Sequence, residues 1–144
     1  LKAFVACLLG RFLLAPLGYA MEGLMLGAVA VSLGHDFPVL LGFHGGKGIL
    51  CGFTVALVLD WRVALIILAV FVITFAITRY VSLGSVLSSG SFGFFYALVH
   101  PERPFPIIVG FTLSALLVWM HRANIGRLIQ GKESKTNLFK LGKK

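Results

Sequence analysis

The amino-acid sequence predicts an all-α membrane protein, a polytopic bundle of about five or six transmembrane helices. Of its 144 residues, 58% are hydrophobic and only 12% are charged, and the mean hydropathy is +0.97. A soluble domain of this length needs more polar residues to cover its surface. The apolar residues also form runs approaching about 20 residues, the length with which an α-helix crosses ~30 Å of hydrocarbon.

Each predicted span ends at proline, glycine or charged residues. The spans and the signals that end them are 3–19 (Pro16 and Gly18), 22–41 (the glycine-rich stretch 42–48), 46–61 (Asp60 and Arg62), 63–79 (Arg79), 82–99 (the prolines between 101 and 106) and 105–121 (the polar run from His121). The third span is the weakest, because its uninterrupted apolar core is short for a full crossing. A tilted or partial span is one alternative, and a full crossing, which the charge distribution favours, is the other. Residues 1–131 are predicted to form one transmembrane domain, followed by a basic tail over 132–144.

The basic residues indicate the orientation. There are 13 Lys and Arg against 5 Asp and Glu, a formal charge of +8. In a soluble protein this balance would suggest nucleic acid, whereas at helix ends it favours anionic lipid or an anionic substrate. Six alternating crossings place most basic residues on one side: Lys2, Lys47, Arg79, Arg122, Arg127, Lys132, Lys135, Lys140, Lys143 and Lys144. Basic loops mark the cytoplasmic face, so the 42–48 loop and the tail are predicted to share it.

The start of the chain is interpreted as an internal membrane helix. Arg11 lies in the middle of this apolar segment, and no convincing small-residue cleavage site follows it, which argues against a signal peptide. We expect further sequence upstream of Leu1. The two cysteines, Cys7 and Cys51, lie in apolar stretches without a paired spacing, and we expect neither a disulfide nor a metal site.

The first polar constellation is Gly-His-Asp-Phe-Pro-Val-Leu-Leu-Gly-Phe-His-Gly-Gly-Lys-Gly over residues 34–48. Glycines allow positive φ angles that turn several N–H groups toward one point, and a helix beginning near Ile49 adds positive potential. With the charge of Lys47, this arrangement suits a phosphate group. It is not a Walker A loop, because Gly48 follows Lys47 and helices flank it. The alternative is an ordinary inter-helix turn with an interfacial lysine, and with His35 and His44 as interfacial side chains.

The second constellation, His-Arg-Ala-Asn-Ile-Gly-Arg-Leu over residues 121–128, begins where the last span ends and continues into Gly-Lys-Glu over 131–133. On one continuous helix His121, Asn124 and Leu128 would share a face, and so would Asn124 and Arg127. An imidazole beside an amide and guanidinium groups can bind an oxyanion or move a proton. The alternative is a positively charged flank with an interfacial histidine.

These two segments, with the intervening Thr-Arg-Tyr-Val-Ser-Leu of 78–83, resemble the second and third signatures of the bacterial acyl-phosphate:glycerol-3-phosphate acyltransferases. The resemblance covers essentially the whole chain. It implies transfer of a fatty acyl group from acyl phosphate to the 1-hydroxyl of sn-glycerol 3-phosphate, giving lysophosphatidate, at the bacterial inner membrane. It implies no cofactor, metal or direct part for acyl-CoA or acyl carrier protein, no nucleic acid and no obligate protein partner, with membrane lipid as the surroundings.

The resemblance also assigns residues. His121 and Asn124 are expected to be catalytic, and Glu133 is expected to be a structural anchor. Substrate binding is expected from the glycine-rich segment and the nearby cationic groups: His35, Gly42, His44, Gly45, Gly46, Lys47, Gly48, Arg122 and Arg127. We expect direct acyl transfer without an acyl-enzyme, in which either His121 or the departing phosphate takes the hydroxyl proton.

Two features keep a second hypothesis open. His44 stands where this family usually has lysine, and the family's N-terminal Ser/Arg signature has no match in the 144 residues. The chain is therefore expected to be either the C-terminal part of a longer enzyme or a non-catalytic membrane paralogue that binds phosphate or lipid without turnover.

Overall fold

The computed structural model describes residues 1–38 and 45–136, and this part of the chain is helical throughout, without a β-strand. The helices are α1 (Lys2–Leu14), α2 (Ala20–Asp36), α3 (Ile49–Leu59), α4 (Trp61–Thr78), α5 (Val81–Val99), α6 (Pro104–Met120) and α7 (Arg122–Ile129), with a 3₁₀ turn at Ala15–Leu17 between α1 and α2. The predicted fold class, a polytopic all-α membrane bundle, is confirmed. Gly42, His44 and the tail from residue 137 lie outside the described residues.

The six apolar helices alternate in direction between two ends of the bundle. At one end, which we call the glycine-loop end, Lys2 meets His35 and the backbone N–H of Thr136 donates to the carbonyl oxygen of Arg79. At the other, the Asp60 end, the carboxylate between α3 and α4 contacts His100, which follows α5. Both polar constellations of the sequence thus lie at the glycine-loop end.

Small residues allow α1 and α2 to pack closely. A Cβ added at Gly10 would collide with the carbonyl oxygen of Gly23, and one at Gly27 would collide with that of Ala6. In lipid, where no hydrophobic effect drives helices together, such close backbone approach increases the van der Waals contact between them. This contact fixes the end of α2, on which the candidate site is built.

The lengths of the helices differ from a uniform set of six full crossings. Among the described residues, α4 and α5, with 18 and 19 residues, are long and apolar enough to span a membrane, and α6 with α7 would qualify as a pair bent by 58°. The 11 residues of α3 reach about 16 Å at 1.5 Å per residue, roughly half of the hydrocarbon thickness. Of the two alternatives for the third span, this length fits the tilted or partial one.

Several boundaries differ from the sequence prediction, among them the end of the first helix, at Leu14 rather than residue 19. Two of these differences have a clear local reason. The second helix ends at Asp36 rather than near residue 41, because Pro38 disfavours helical φ/ψ angles at Phe37. The fourth helix starts at Trp61, earlier than predicted, because a side-chain oxygen of Asp60 accepts a hydrogen bond from the backbone N–H of Arg62 at 2.7 Å. Such N-caps stabilise the first turn of a helix.

Candidate functional site

The described part of the glycine-rich loop, residues 45–48, lies against the end of α2. A Cβ at Gly45 would collide with the carbonyl oxygens of His35 and Asp36, and one at Gly46 would lie 2.8 Å from Nε2 of His35. A Cβ at Gly48 would lie 2.7 Å from Oδ1 of Asp36. The glycines therefore allow the backbone to pass directly over the last two residues of α2.

Gly48 also begins α3. It has φ +67° and no side chain caps the helix by hydrogen bonding, although its carbonyl oxygen accepts the first helical hydrogen bond, from Gly52 N, at 2.6 Å. Among the described residues, no protein anion is bonded to the leading N–H groups of α3, which therefore keep their positive potential. Such a terminus, with Lys47 immediately before it, attracts phosphate groups.

Lys2 adds a second positive charge to this region. Its ammonium Nζ lies 2.6 Å from Nδ1 of His35, and since an ammonium group can only donate, the ring nitrogen accepts. Lys2, His35 and Lys47 line one open cavity of about 440 Å³ together with Gly48 and Thr54. The described residues contain no group of three or more His, Cys, Asp or Glu side chains that could hold a metal ion.

His121 is almost completely buried, with 2% of its surface exposed. Its Nδ1 lies 2.7 Å from the carbonyl oxygen of Leu117, and since a carbonyl can only accept, Nδ1 carries the hydrogen and Nε2 of the neutral ring keeps its lone pair. Burial lowers the pKa of His121, and the charge of Lys47 lowers it further, whereas the bond to Leu117 opposes the shift. The geometry therefore favours a neutral imidazole at neutral pH.

His121 and Asn124 are both buried, although a helix break lies between α6 and the helix that carries Asn124. His121 lies at the break between α6 and α7, where the axis turns by 58°, and its carbonyl oxygen accepts from the backbone N–H of Ile125 at 2.9 Å. His121 therefore starts α7 as its N-cap. The two side chains are held by different elements, which fixes each of them separately.

Asn124 is held by Glu133. Its Nδ2 donates to one carboxylate oxygen at 3.0 Å, and Nε of Arg127 donates to the other at 2.6 Å. The Arg127 guanidinium holds the pKa of Glu133 below its usual range. Because Nδ2 of Asn124 donates to the carboxylate, Oδ1 of the same amide points away from Glu133. This buried oxygen has no hydrogen-bond partner among the described residues.

The expected substrate-binding residues divide into two groups. One group lies together at the glycine-loop end: His35, Gly45, Gly46, Lys47 and Gly48. The charge of Lys47 contributes to the lowered pKa of His121. The two arginines have other neighbours.

Arg127 pairs with Glu133, and the exposed Arg122 lies 5.1 Å over the ring of Trp119 and donates to its carbonyl oxygen at 3.2 Å. The described contacts thus hold both guanidinium groups within α6, α7 and the segment that follows them.

An apolar cavity of about 280 Å³ extends from this end toward the middle of the bundle. Leu117 and Ile49 line it near the loop, whereas Ile67 and Phe92 line it deeper in the protein. Gly52 keeps space beside it, because a Cβ there would lie 2.8 Å from Cδ1 of Leu117. The site thus combines a cationic, glycine-lined surface with apolar space of membrane-like character.

Sequence reasoning missed two residues of this site, Lys2 and Asp36. The charge pattern predicts that Lys2 lies on the same side as Lys47, but nothing in the sequence pairs Lys2 with a histidine 33 residues away. Asp36 is 1% exposed, and an acid at the end of an apolar run was the only available signal of its burial.

The chain is similar in sequence to known membrane enzymes. A family described as glycerol-3-phosphate acyltransferase matches residues 1–131. The glycerol-3-phosphate acyltransferase of Clostridioides difficile (strain 630) is 38% identical over 138 residues, covering 94% of this chain and 66% of that protein. The protein of the same name from Thermoanaerobacter sp. (strain X514) is 37% identical over 135 residues, covering 94% and 65%.

The fold has relatives among solved structures. The crystal structure of PlsY (YgiH), an integral membrane glycerol 3-phosphate acyltransferase in its glycerol 3-phosphate form, superposes with a TM-score of 0.79 at 30% identity, covering 96% of this chain and 71% of that one. The lysophosphatidic acid form gives the same TM-score and identity. The chain spans 54–66% of the length of similar curated relatives.

Proposed function

The chain belongs to the glycerol-3-phosphate acyltransferase family, and from this membership we propose that it transfers a fatty acyl group from acyl phosphate to the 1-hydroxyl of sn-glycerol 3-phosphate. The products are lysophosphatidate, the first intermediate of phospholipid synthesis, and inorganic phosphate. The observation that carries the proposal is the link between the glycine loop and His121 through Leu117, whose side chain lies beside Gly48 and whose carbonyl oxygen bonds the imidazole.

The phosphate groups bind at the cationic surface. Lys47 and the N-terminus of α3 supply positive potential next to a loop without side-chain obstruction. Lys2, held by His35, faces the same 440 Å³ cavity. Two phosphorylated substrates bring several negative charges to one membrane surface, and charge-assisted hydrogen bonds from lysine and backbone N–H groups neutralise them.

The fatty acyl chain enters the apolar cavity beside Leu117. This residue connects the two regions, because its side chain lines the cavity and its carbonyl oxygen fixes the imidazole of His121. An acyl carbonyl at the cavity mouth therefore lies beside His121, while the chain lies among the side chains of α3 to α6.

The reaction is a direct displacement. The 1-hydroxyl oxygen of glycerol 3-phosphate attacks the acyl carbonyl carbon, a new C–O ester bond forms, and the C–O bond to phosphate breaks. Two groups can accept the hydroxyl proton, Nε2 of neutral His121 and the departing phosphate. Asn124 orients the reacting oxygen through its fixed Oδ1 and its remaining N–H.

Among the described contacts, no Ser hydroxyl or Cys thiol is hydrogen-bonded to a histidine, the arrangement that activates a nucleophile, so an acyl-enzyme has no support. Arg127 contributes indirectly, since it holds the Glu133 carboxylate that holds Asn124. Arg122 remains a candidate contact for phosphate groups at the membrane surface.

The function is tested by assaying the purified protein with acyl phosphate and labelled glycerol 3-phosphate. We expect lysophosphatidate and phosphate in equal amounts, and no product from acyl-CoA. Lys47→Gln raises the KM for glycerol 3-phosphate about 10- to 100-fold, the value of a charged hydrogen bond. Lys132→Gln, at the same end but outside the loop, leaves it unchanged.

The competing hypothesis gives a different result in the same experiment. A non-catalytic paralogue binds glycerol 3-phosphate, seen as a rise in thermal stability with ligand concentration, yet forms no lysophosphatidate under any donor. Binding without product in the wild-type protein contradicts the acyltransferase proposal and favours that hypothesis.

We also propose that the protein lies in the bacterial inner membrane with the glycine-loop end and the tail in the cytoplasm, because basic residues gather at that end. In a background with Cys7 and Cys51 replaced by alanine, a membrane-impermeant thiol reagent applied to intact spheroplasts labels Arg103→Cys. It does not label Lys47→Cys until the membrane is opened. Labelling of Lys47→Cys from outside refutes the orientation.

A further inference from the structure

A second charged cavity lies at the Asp60 end of the bundle, away from the proposed site. Its volume is about 640 Å³, and it lies between α1, the start of α2 and the start of α6. Three charged side chains line it, Arg11 from α1, Glu22 from α2 and Arg103 from the residue before α6. None of them belongs to the glycine loop or to the segment around His121, so the proposed acyl transfer gives this cavity no role.

The arginines at this end differ in how their charge is balanced. Arg62 donates to the carboxylate of Asp60 at 2.7 Å, and Nε of Arg103 lies 3.2 Å from a carboxylate oxygen of Glu102. The exposed guanidinium of Arg11, in an apolar helix, makes no ion pair or hydrogen bond among the described residues. A guanidinium in a membrane helix is costly unless it reaches an anion or the interface, and its paired N–H donors match a phosphate group. Arg11 therefore offers a contact to an anion from outside the described chain.

Glu22 adds the opposite charge to the same cavity. It is partly exposed, and no described ion pair joins it to Arg11 or Arg103. A phosphate group bound by the two arginines leaves this carboxylate without a partner, and a second anion beside it would be repelled. A ligand with a phosphate and an ammonium group a few atoms apart satisfies all three side chains, because the ammonium donates to the carboxylate while the phosphate accepts from the guanidinium groups.

The uncharged part of the lining suits a lipid better than a free solute. It includes the apolar side chains of Met21, Leu24 and Phe105. Phe105 is 42% exposed, and Ile108, one turn further into the bundle on the same face of α6, is 65% exposed. Exposed apolar surface thus continues from the cavity along α6 toward the middle of the membrane, where a fatty acyl chain lies. Basic pockets between transmembrane helices bind lipid headgroups in this way.

We propose that this cavity binds an ethanolamine phospholipid from the leaflet that meets the Asp60 end. The lipid phosphate lies between Arg11 and Arg103, its ammonium group donates to Glu22, and one acyl chain lies along Phe105 and Ile108. The headgroup joins α1, α2 and α6, so the bound lipid stabilises the folded protein.

Competition between phospholipids with identical acyl chains tests the headgroup. Delipidated protein in detergent receives phosphatidylethanolamine and phosphatidylglycerol in equal amounts, and native mass spectrometry counts the lipid retained. The wild-type protein retains the ethanolamine lipid about fivefold over the glycerol lipid, the upper value of an exposed ion pair. In Glu22→Gln the two lipids are retained equally, and in Arg11→Gln retention of both falls about 10-fold, the loss of a charge-assisted hydrogen bond. Arg62→Gln, an arginine variant at the same end but outside the cavity, keeps the wild-type pattern.

The same experiment can overturn the proposal. Equal retention of the two lipids by the wild-type protein shows that the cavity does not recognise this headgroup, and so does wild-type retention in Arg11→Gln. A third arm adds soluble glycerophosphoethanolamine, which has the headgroup without acyl chains. If it displaces the lipid at millimolar concentration, the cavity is a site for a free solute and the lipid proposal is wrong.

Thermal unfolding shows whether the effect of Arg11 comes from the lipid or from the fold. In lipid-free detergent Arg11→Gln unfolds at the wild-type temperature, because no described side chain pairs with Arg11. Added phosphatidylethanolamine raises the Tm of the wild-type protein and leaves that of Arg11→Gln unchanged. A lower Tm of Arg11→Gln without lipid would show that the guanidinium has a structural partner in the protein, and would also overturn the proposal.

Discussion

Replacement of Gly48 by alanine tests whether the glycine loop must lie against α2. The new methyl group meets two constraints at once. The backbone at residue 48 has φ +67°, and a Cβ there would lie 2.7 Å from Oδ1 of Asp36 and 3.0 Å from Cδ2 of Leu117. Two other glycines serve as controls, one with the positive φ alone and one with neither constraint. Gly18 has φ +83° with nothing within 4 Å, and Gly34 lies in α2 with nothing within 4 Å and no positive φ.

The expected magnitudes follow from these environments. Gly18→Ala costs about 1–2 kcal/mol, the penalty of a left-handed backbone for an L-residue. Gly48→Ala carries the same penalty plus roughly 1–3 kcal/mol for forcing a methyl group into packed surroundings. Gly34→Ala stabilises the protein by about 0.5–1 kcal/mol, because alanine favours a helix over glycine.

Equilibrium unfolding in detergent measures all three variants, and acyl transfer is measured on the same samples. Since the Gly48 methyl group displaces Asp36 and Leu117, it also lowers kcat/KM for glycerol 3-phosphate, whereas Gly18→Ala, at the other end, does not. If Gly48→Ala loses no more stability than Gly18→Ala and retains full activity, the loop does not rest on α2 as described.

Three further predictions use the same measurements. His121→Gln lowers kcat by about 100-fold or more if the imidazole is the base, and near-wild-type activity instead assigns the proton to the departing phosphate. The pKa of His121 is lowered in the folded protein. The stability that the neutral ring contributes is therefore present above the unfolded pKa of about 6.5 and is lost as the pH falls through the folded pKa. Acid unfolding of His121→Gln lacks this component. Glu133→Ala acts mainly on kcat and changes the KM for glycerol 3-phosphate less, because Asn124 loses its anchor. Glu133→Gln retains part of the activity, and equal kinetics for both variants contradict the anchoring role. Asp60→Ala destabilises the protein by about 1 kcal/mol through the lost cap of α4, without changing KM, and a changed KM would show coupling between the two ends.

The helices could be predicted from the sequence because their limits are local. Pro16, Asp60 and Arg79 each end or begin an apolar run, and the structure places a helix boundary at or next to each of them. Charge distribution then predicted which loops share an end, since basic residues that interact with one membrane surface leave a pattern along the chain. The glycine-lysine segment and the histidine-asparagine segment could be grouped for the same reason.

The contacts inside the site could not be predicted, because they join residues far apart in the chain. The bond between Lys2 and His35 depends on the close packing of α1 on α2. The bond between the ring of His121 and the carbonyl oxygen of Leu117 lies at a break between two helices, and nothing in the sequence signalled that break. Asp36 resembles any interfacial acid in the sequence, and its burial follows only when the glycine loop covers the end of α2.

The two ends of the bundle differ in how they hold a buried carboxylate. At the Asp60 end the carboxylate, although largely buried, is bonded to both Arg62 and His100, and Arg62 holds its pKa well below the usual range. At the glycine-loop end the described structure leaves both oxygens of Asp36 and Oδ1 of Asn124 without partners. Unpaired buried acceptors reduce stability, and the hydroxyl of Tyr96 near the Asp60 end is likewise without a partner among the described residues. The open Oδ1 of Asn124 therefore supports a ligand site only together with the place of Asn124 next to Glu133 at the end of the bundle that carries the glycine loop and His121.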